Sequence, residues 1–368
     1  MDFTATEAQL DLARLTGEVC DKLVTADRLR ELDSVDAKFD EPLWKSLAET
    51  GVLAAALPEE AGGNGFGALE QTAIQRELGK ALGAVPYLWS IVLGAGALAR
   101  FGSDTQRELA RAAAEGGTIL TVALAEERNW QPEQPQTSAV ETADGWRISG
   151  VKTTVPVADR ATRVLVPANV ADTTAVFLVD PTVDSVTVTA QQVTDRSAES
   201  LVEFADTPGE LLGTVERGTE ILDWLLVRAW LGLAARQLGT LESALDLVAD
   251  YAREREQFGR AIGGFQAVSQ RLSDGYIAIG GLRLTVTQAA WQLSEGLDAT
   301  GAVHTAKFWA AEAGHQVAHT VVHVHGGVGI DRDHTAHNYF TAAKHNEFAL
   351  GGSPDHLLPL AQYLPDSA

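Results

Sequence analysis

Hydrophobic positions along this chain recur at two different periods. Leu10, Leu12, Leu15, Val19, Leu23 and Val24 fall at helical spacing, as do Leu43, Trp44 and Leu47 ahead of Gly51. Residues 57–65, rich in glycine and holding Pro58, predict a loop. Helical periodicity resumes over 68–82, and the apolar stretch 90–101 predicts a buried segment. Between about 119 and 213 the period shortens to two. Thr- and Val-rich runs at 118–124, 146–150, 163–167, 175–179 and 186–189 are separated by Gly, Pro and polar breaks, and they predict short strands. Beyond about 215, amphipathic runs at 221–251, 265–293 and 302–325 predict long helices. This α–β–α order predicts an α+β chain in three parts. They are a helical domain over 1–118, a β-sheet domain over 119–213, and a four-helix bundle over 214–368 that serves as the assembly surface.

Composition narrows the function. The chain has 368 residues and is 45% hydrophobic, enough for a large core. Asp and Glu number 50 against 28 Lys and Arg, a formal net charge of -22. Such a body is repelled by nucleic acid and by anionic membrane surfaces, so neither is expected as a partner. No apolar run approaches the roughly 18–20 residues of a membrane span. The start, Met1-Asp2-Phe3-Thr4, lacks a basic region followed by an apolar one, so no secretory signal is expected. A single cysteine, Cys20, excludes an internal disulfide and a Cys-based zinc cluster, and it reads as a small packing residue. These features predict a soluble cytoplasmic protein.

Three C-terminal segments carry candidate chemistry. The first runs from Tyr251 through Arg255, Gln257, Phe258 and Gly259 to Phe265-Gln266. The second is Val324-His325-Gly326-Gly327-Val328-Gly329-Ile330, and the third runs from Tyr339-Phe340 through Ala343-Lys344 to Gly351-Gly352. With Trp44, Gly51, Pro58-Glu59-Glu60 and Gly62-Gly63, their order and spacing resemble the acyl-CoA dehydrogenase family over essentially the whole chain. The resemblance implies FAD, with its isoalloxazine ring in one subunit and its pyrophosphate and adenosine reaching a neighbour. Arg255 is expected to fork onto a pyrophosphate oxygen and Gln257 to donate to it. Phe258 is expected to offer adenine an aromatic face, and Gln266 a polar edge. Gly326 and Gly327, without Cβ atoms, let the backbone approach phosphate closely. His323 stands where the family usually has Gln. The alternative for Arg255 is an ion pair with a nearby Glu on the helix surface.

The family reaction needs a carboxylate placed to remove the proton α to a thioester carbonyl. Most members carry it as a Glu just before the third segment's Gly; here Leu350 occupies that position. Others carry it on the helix before Tyr251, where this chain has Ala229. The flavin-facing side also departs from the family. Residues 123–130 lack the usual Gly and Ser, and after Gly150-Val151-Lys152 the aromatic and hydroxyl positions hold Thr154 and Pro156. No catalytic residue is therefore assigned to this chain. The pattern resembles the non-catalytic subunit of the heterotetrameric (α2β2) acyl-CoA dehydrogenases that actinobacteria use on steroid side chains. That implies a catalytic partner subunit, two shared flavins per tetramer, and a cholesterol-type acyl-CoA substrate bound mainly by the partner. Two alternatives stay open. One is a self-sufficient enzyme with a relocated base, Glu347 before Asp223; the other is a scaffold without cofactor contact. His315, His319 and His323 follow at i, i+4 and i+8 with His325 just beyond, but no metal is assigned, because no His-Glu-x-x-His arrangement or cysteine supports one.

Overall fold

The structure is a computed structural model that describes residues 3–363; residues 1–2 and 364–368, at the outer ends of the expected first and third domains, lie outside the described residues. The chain forms two compact units that are not consecutive in sequence. One comprises Met1–Glu31, Thr72–Gly83 and Trp230–Ala368; the other comprises Leu32–Gln71 and Ala84–Ala229.

Helices come first: α1 (Glu7–Leu23), α2 (Ala26–Asp33), α3 (Glu41–Glu49), α4 (Val52–Ala55), α5 (Ala68–Lys80), α6 (Gly96–Phe101) and α7 (Asp104–Ala114). Both α1 and α7 begin with a capping box, Thr6 with Gln9 and Ser103 with Gln106. The expected loop at 57–65 holds one 3-10 turn, Glu59–Ala61. The apolar segment before α6 is buried as expected, but it winds as a π-helix, Tyr87–Ala95.

Strands β1 (Leu120–Val122), β2 (Ser138–Thr142), β3 (Gly145–Pro156), β4 (Arg163–Val170), β5 (Thr173–Val179), β6 (Val186–Gln191) and β7 (Glu199–Leu211) follow. Strands β4, β2, β3, β7 and β5 pair in turn, and β5 returns to β4, so the ring closes on itself. Its interior is apolar, with Ile148, Val155, Val164, Val166, Phe177, Val202 and Phe204 buried against one another. β5 is buried on both faces after its first residue, which explains its unbroken apolar run. β3 bulges against β7 between Lys152 and Val155, and Thr154 within the bulge takes φ +46°.

The other unit is helical: α8 (Gly218–Glu254), which enters it at Trp230, then α9 (Gln266–Ser294), α10 (Thr300–His325), α11 (Thr335–Phe348) and α12 (Ser353–Leu360). Between α8 and α9 lies a two-stranded hairpin, β8 (Glu256–Gln257) with β9 (Arg260–Ala261). α5 and α8 meet backbone to backbone. A Cβ on Gly79 would lie 2.1 Å from the Arg236 carbonyl oxygen, and one on Gly239 would lie 1.8 Å from that of Arg76. Beside this crossing, Glu242 accepts from Arg76 (2.7 and 2.9 Å) and from Arg283 (2.7 and 3.1 Å), joining α5, α8 and α9. Gln237 is fully buried; its amide donates to Ala343 O at 3.0 Å and accepts from Asn346 at 3.1 Å, which ties α8 to α11. Cys20 is buried, as a packing residue should be.

Candidate functional site

The end of α8 builds the first part of the site. Arg255 N donates to Tyr251 O, and Ile262 N donates to Arg255 O, so the backbone leaves the helix on a fixed path into the hairpin. Phe258 and Gly259 form its two-residue tip with φ +54° and +79°. Both values are positive, as in a type I′ turn, where Asn-Gly would be relaxed. A phenylalanine there costs about 1–2 kcal/mol. Burial does not offset that cost, because Phe258 is 92% exposed. Among the described residues its ring meets Phe265 edge-to-face, with centroids 6.1 Å apart, and Phe265 in turn lies under the Arg260 guanidinium at 4.2 Å. A strained residue presenting its aromatic face to solvent is a candidate binding group.

Arg255 is exposed, and among the described residues its side chain has no carboxylate or hydrogen-bond partner. The ion pair considered for it forms instead one turn earlier, between Arg253 and Asp250. Gln257 is exposed and donates to Glu256 O at 2.8 Å. Gln266, the first residue of α9, and His323, in the last turn of α10, are both exposed. Gly326 takes φ +66°, and a Cβ on it or on Gly327 would meet no atom within 4 Å. That backbone is open to a ligand.

His325 joins these pieces, and sequence reading did not assign it to the site. Its ring stacks on Tyr251, with centroids 4.4 Å apart, and so ties the end of α10 to the end of α8. Nδ1 donates to Val321 O at 2.8 Å, which leaves Nε2 an acceptor; Nε2 is buried and has no partner among the described residues. Burial, aided by His334, holds the imidazole pKa below its usual value despite the bond to Val321. A free cation, an exposed aromatic face, side-chain amides, open glycine backbone and an orphaned acceptor fit the adenosine diphosphate end of a flavin dinucleotide.

The base positions hold no carboxylate. Ala229 is fully buried on α8. Leu350 follows α11 with φ +51°, and its carbonyl accepts from Trp230 Nε1 at 3.0 Å and His356 Nε2 at 3.1 Å. Because His356 donates through Nε2, its Nδ1 accepts from His304 Nδ1, 3.0 Å away. Burial, Lys307 and His304 push the His356 pKa down to about 3, so the ring is neutral. Lys307, fully buried, donates to the carbonyls of Asn346, Glu347 and Gly351 at 3.2, 3.2 and 2.7 Å. The corner that carries the base elsewhere is here tied down through its backbone.

Glu347 is buried, and both of its oxygens are engaged: Lys344 donates to one at 2.6 Å, and His315 Nδ1 lies 3.2 Å from the other. Asp223 lies in the other unit, and burial raises its pKa. The rings of His315 and His319 pair at 4.5 Å, and His319 meets Phe340 edge-on at 5.6 Å.

The loop at 123–130 folds onto a buried ion pair. Glu126 accepts from Lys152 Nζ (2.7 Å), Thr137 N (2.9 Å) and Oγ1 (2.7 Å), Gln136 N (2.6 Å) and Asn129 Nδ2 (3.1 Å). Burial works to raise its pKa, but Lys152 and the backbone donors outweigh that and hold it at about 2. Thr153 N donates to Ala125 O at 3.0 Å, closing the loop onto β3. Gln191 Oε1 takes the Thr154 amide at 2.8 Å, and Pro156 O accepts from Thr121 at 2.6 Å. The Gln136, Thr137 and Lys152 donors that face this loop are already engaged by Glu126.

Family models described as "Acyl-CoA dehydrogenase, N-terminal domain" and "Acyl-CoA dehydrogenase, C-terminal domain" match residues 6–115 and 216–361. The chain is 47% identical over 376 residues to acyl-CoA dehydrogenase FadE27 of Mycobacterium tuberculosis (strain ATCC 25618 / H37Rv), with 100% of each covered. Among solved structures, it superposes on a chain of the ChsE4-ChsE5 complex from Mycobacterium tuberculosis with TM-score 0.94 and 47% identity, covering 100% of both. A chain of a variant of the Tcur3481-Tcur3483 steroid ACAD gives TM-score 0.92 and 36% identity, with 98% of each covered.

Proposed function

The chain belongs to the acyl-CoA dehydrogenase family, and within it we propose that this is a non-catalytic subunit that completes the FAD site of a catalytic partner. The assembly is an α2β2 heterotetramer that desaturates steroid side-chain acyl-CoA thioesters of the cholesterol type. Bound FAD supplies the hydride acceptor; the partner supplies the flavin ring pocket and the base. From this chain, Arg255 and Gln257 hold the diphosphate, Phe258 faces the adenine, and Gln266 and His323 bind at the edge. Gly326 and Gly327 let the backbone reach the phosphates.

The observation that carries the proposal is the unpaired Arg255 beside the strained, exposed Phe258, in a chain whose base position is Leu350. The likeness to chains of heteromeric complexes, one described as a steroid ACAD, supports the partner and the substrate class. The engaged donors around Glu126 support a lost ring pocket. Glu347 as a relocated base is disfavoured, because both of its oxygens already hold cationic or imidazole partners. A cytoplasmic place of action is part of the same reading, motivated by the single cysteine. Among the described residues, no helix is long and apolar enough to cross a membrane.

The test is the flavin-to-protein ratio by visible absorbance, for this chain purified alone and with its catalytic subunit. No flavin alone and about one per heterodimer together is expected. A full complement in the chain alone would refute the shared site. An Arg255→Ala complex that keeps its flavin would support the scaffold reading instead.

A further inference from the structure

Arg228 lies on the first half of α8, one turn beyond Trp224 and two beyond Glu220, so the three share a helix face. Its guanidinium stacks on the Trp224 ring at 4.1 Å and makes only a long contact, 3.5 Å, to Trp224 O. Among the described residues, no carboxylate bonds it. Glu220 is forked by Arg217 at 2.9 and 2.9 Å. Asp223 adds to burial in raising the Glu133 pKa, and among the described residues neither bonds a guanidinium. A second arginine, Arg100, adds to burial in lowering the Arg228 pKa; it packs over Phe101 at 5.4 Å, has no hydrogen-bonded acid among the described residues, and, after Arg217, helps hold the Glu220 pKa down. Phe101 is flanked by Arg217 at 5.0 Å and meets Trp224 edge-on at 5.7 Å. The Trp224 indole N–H is buried and has no acceptor among the described residues.

This arrangement is costly for a protein that binds nothing there. Burying a guanidinium without a counter-charge is unfavourable, and a like charge beside it adds to the cost. The chain carries a net charge of -22, yet this face gathers three arginines around one glutamate. Packing over Trp224 holds the Arg228 guanidinium in place and leaves its N–H donors available to an acceptor. Glu220, forked by Arg217 and also within reach of the Arg100 charge, is one carboxylate among three arginines, and the surplus positive charge matches a dianion. A phosphate monoester carries about -1.5 to -2 at pH 7 and has three acceptor oxygens.

We propose that Arg228 and Arg100, with the Trp224 indole N–H, form a binding site for a phosphate-bearing small molecule. The site is separate from the flavin half-site at Arg255, which lies in the other unit. The probe is inorganic phosphate. Thermal stability of the full chain is measured with phosphate and with chloride at matched ionic strength. Wild type should gain stability specifically from phosphate, and Arg255→Ala should keep that gain. Arg228→Met should bind phosphate at least about tenfold more weakly. It should also melt higher than wild type in phosphate-free buffer, because a half-buried charge without a carboxylate partner has been removed. Should the methionine variant misfold, Arg100→Gln, an exposed position, should still weaken the phosphate response. Three results would overturn the site: no phosphate-specific gain in wild type, an unchanged response in Arg228→Met, or a lower melting temperature of that variant without phosphate. If wild type ignores phosphate while Arg228→Met fails to assemble with the partner subunit, the arginines contact a protein carboxylate and the proposal falls.

Discussion

Replacing Lys152 by methionine tests how the β unit holds its longest loop. The substitution keeps the side chain's length but strands the Glu126 carboxylate, which is 8% exposed, without its cation. Breaking a buried pair from one side costs about 3–5 kcal/mol. Glu126 retains donors from Thr137, Gln136 and Asn129, so the lower end of that range applies. The pKa gives a similar size: a fall from 4.5 to about 2 corresponds to about 3 kcal/mol. Because the folded pKa is depressed, that contribution is complete above pH about 4.5 and is lost as pH falls through about 2. Burial of the Lys152 ammonium lowers its own pKa and acts in the opposite direction, so about 3 kcal/mol is an upper figure for the pair. For a unit of this size each kcal/mol moves Tm by about 2–4 °C, so Lys152→Met should melt about 6–12 °C lower at pH 7. The gap should narrow at pH 5, where the stranded Glu126 can take up a proton. Thermal melting at both pH values, with hydrogen exchange at the Thr137 amide, measures this. A variant within about 1 kcal/mol of wild type at pH 7, with Thr137 protection unchanged, would refute the reasoning.

Other substitutions isolate other features. Phe258→Asn relaxes a positive φ, so the chain should be as stable or up to about 1 kcal/mol more stable, while the assembled complex loses flavin about tenfold more readily. Denaturation and flavin absorbance check the two halves; lower stability would mean Phe258 packs rather than binds. Gly239→Ala would drive a Cβ to 1.8 Å from the Arg76 carbonyl and should cost more than about 4 kcal/mol, whereas Gly280→Ala, with nothing within 4 Å, should gain about 0.5–1 kcal/mol. His356 has a folded pKa of about 3 against 6.5. The unfolded chain therefore takes up the proton first, and wild-type stability should fall as pH drops below 6.5. In His356→Gln that fall should be smaller between pH 6.5 and 4, as read by denaturant midpoints.

The long helices were legible because their apolar positions keep one period over many turns; α8, α9 and α10 lie within a few residues of the runs at 221–251, 265–293 and 302–325. The strand β7 was not, although it pairs with three others. Its sequence carries Glu203, Asp206, Pro208, Gly209 and Glu210, and Glu203, Ala205, Asp206, Pro208 and Glu210 are exposed. At the candidate site, residue types and order pointed to Arg255, Gln257 and the glycines. The conformations did not follow from them: nothing in Gln-Phe-Gly announces a left-handed phenylalanine. His304 and Lys307 come from α10 and His356 from α12, so only the folded chain shows them converging on the backbone around Leu350. Glu347 shows the reverse case: near Lys344 it reads as a surface charge, yet it is buried.

The crossing of α5 with α8 also bears on how the chain is made. Gly79 leaves the ribosome about 160 residues before Gly239, the glycine that answers it across the crossing. In between comes the second segment of the β unit, Ala84–Ala229. That unit has all its chain available once Ala229 has emerged, while α1 and the end of α5 still lack the helices that cover them. At about 5–20 residues per second they wait many seconds with apolar faces uncovered. Nascent chains stalled far enough beyond residue 230 for Ala229 to have left the ribosome should therefore show a protease-resistant β unit and an N-terminal segment held by chaperones, with protection of α1 appearing only when α8 and α11 have emerged.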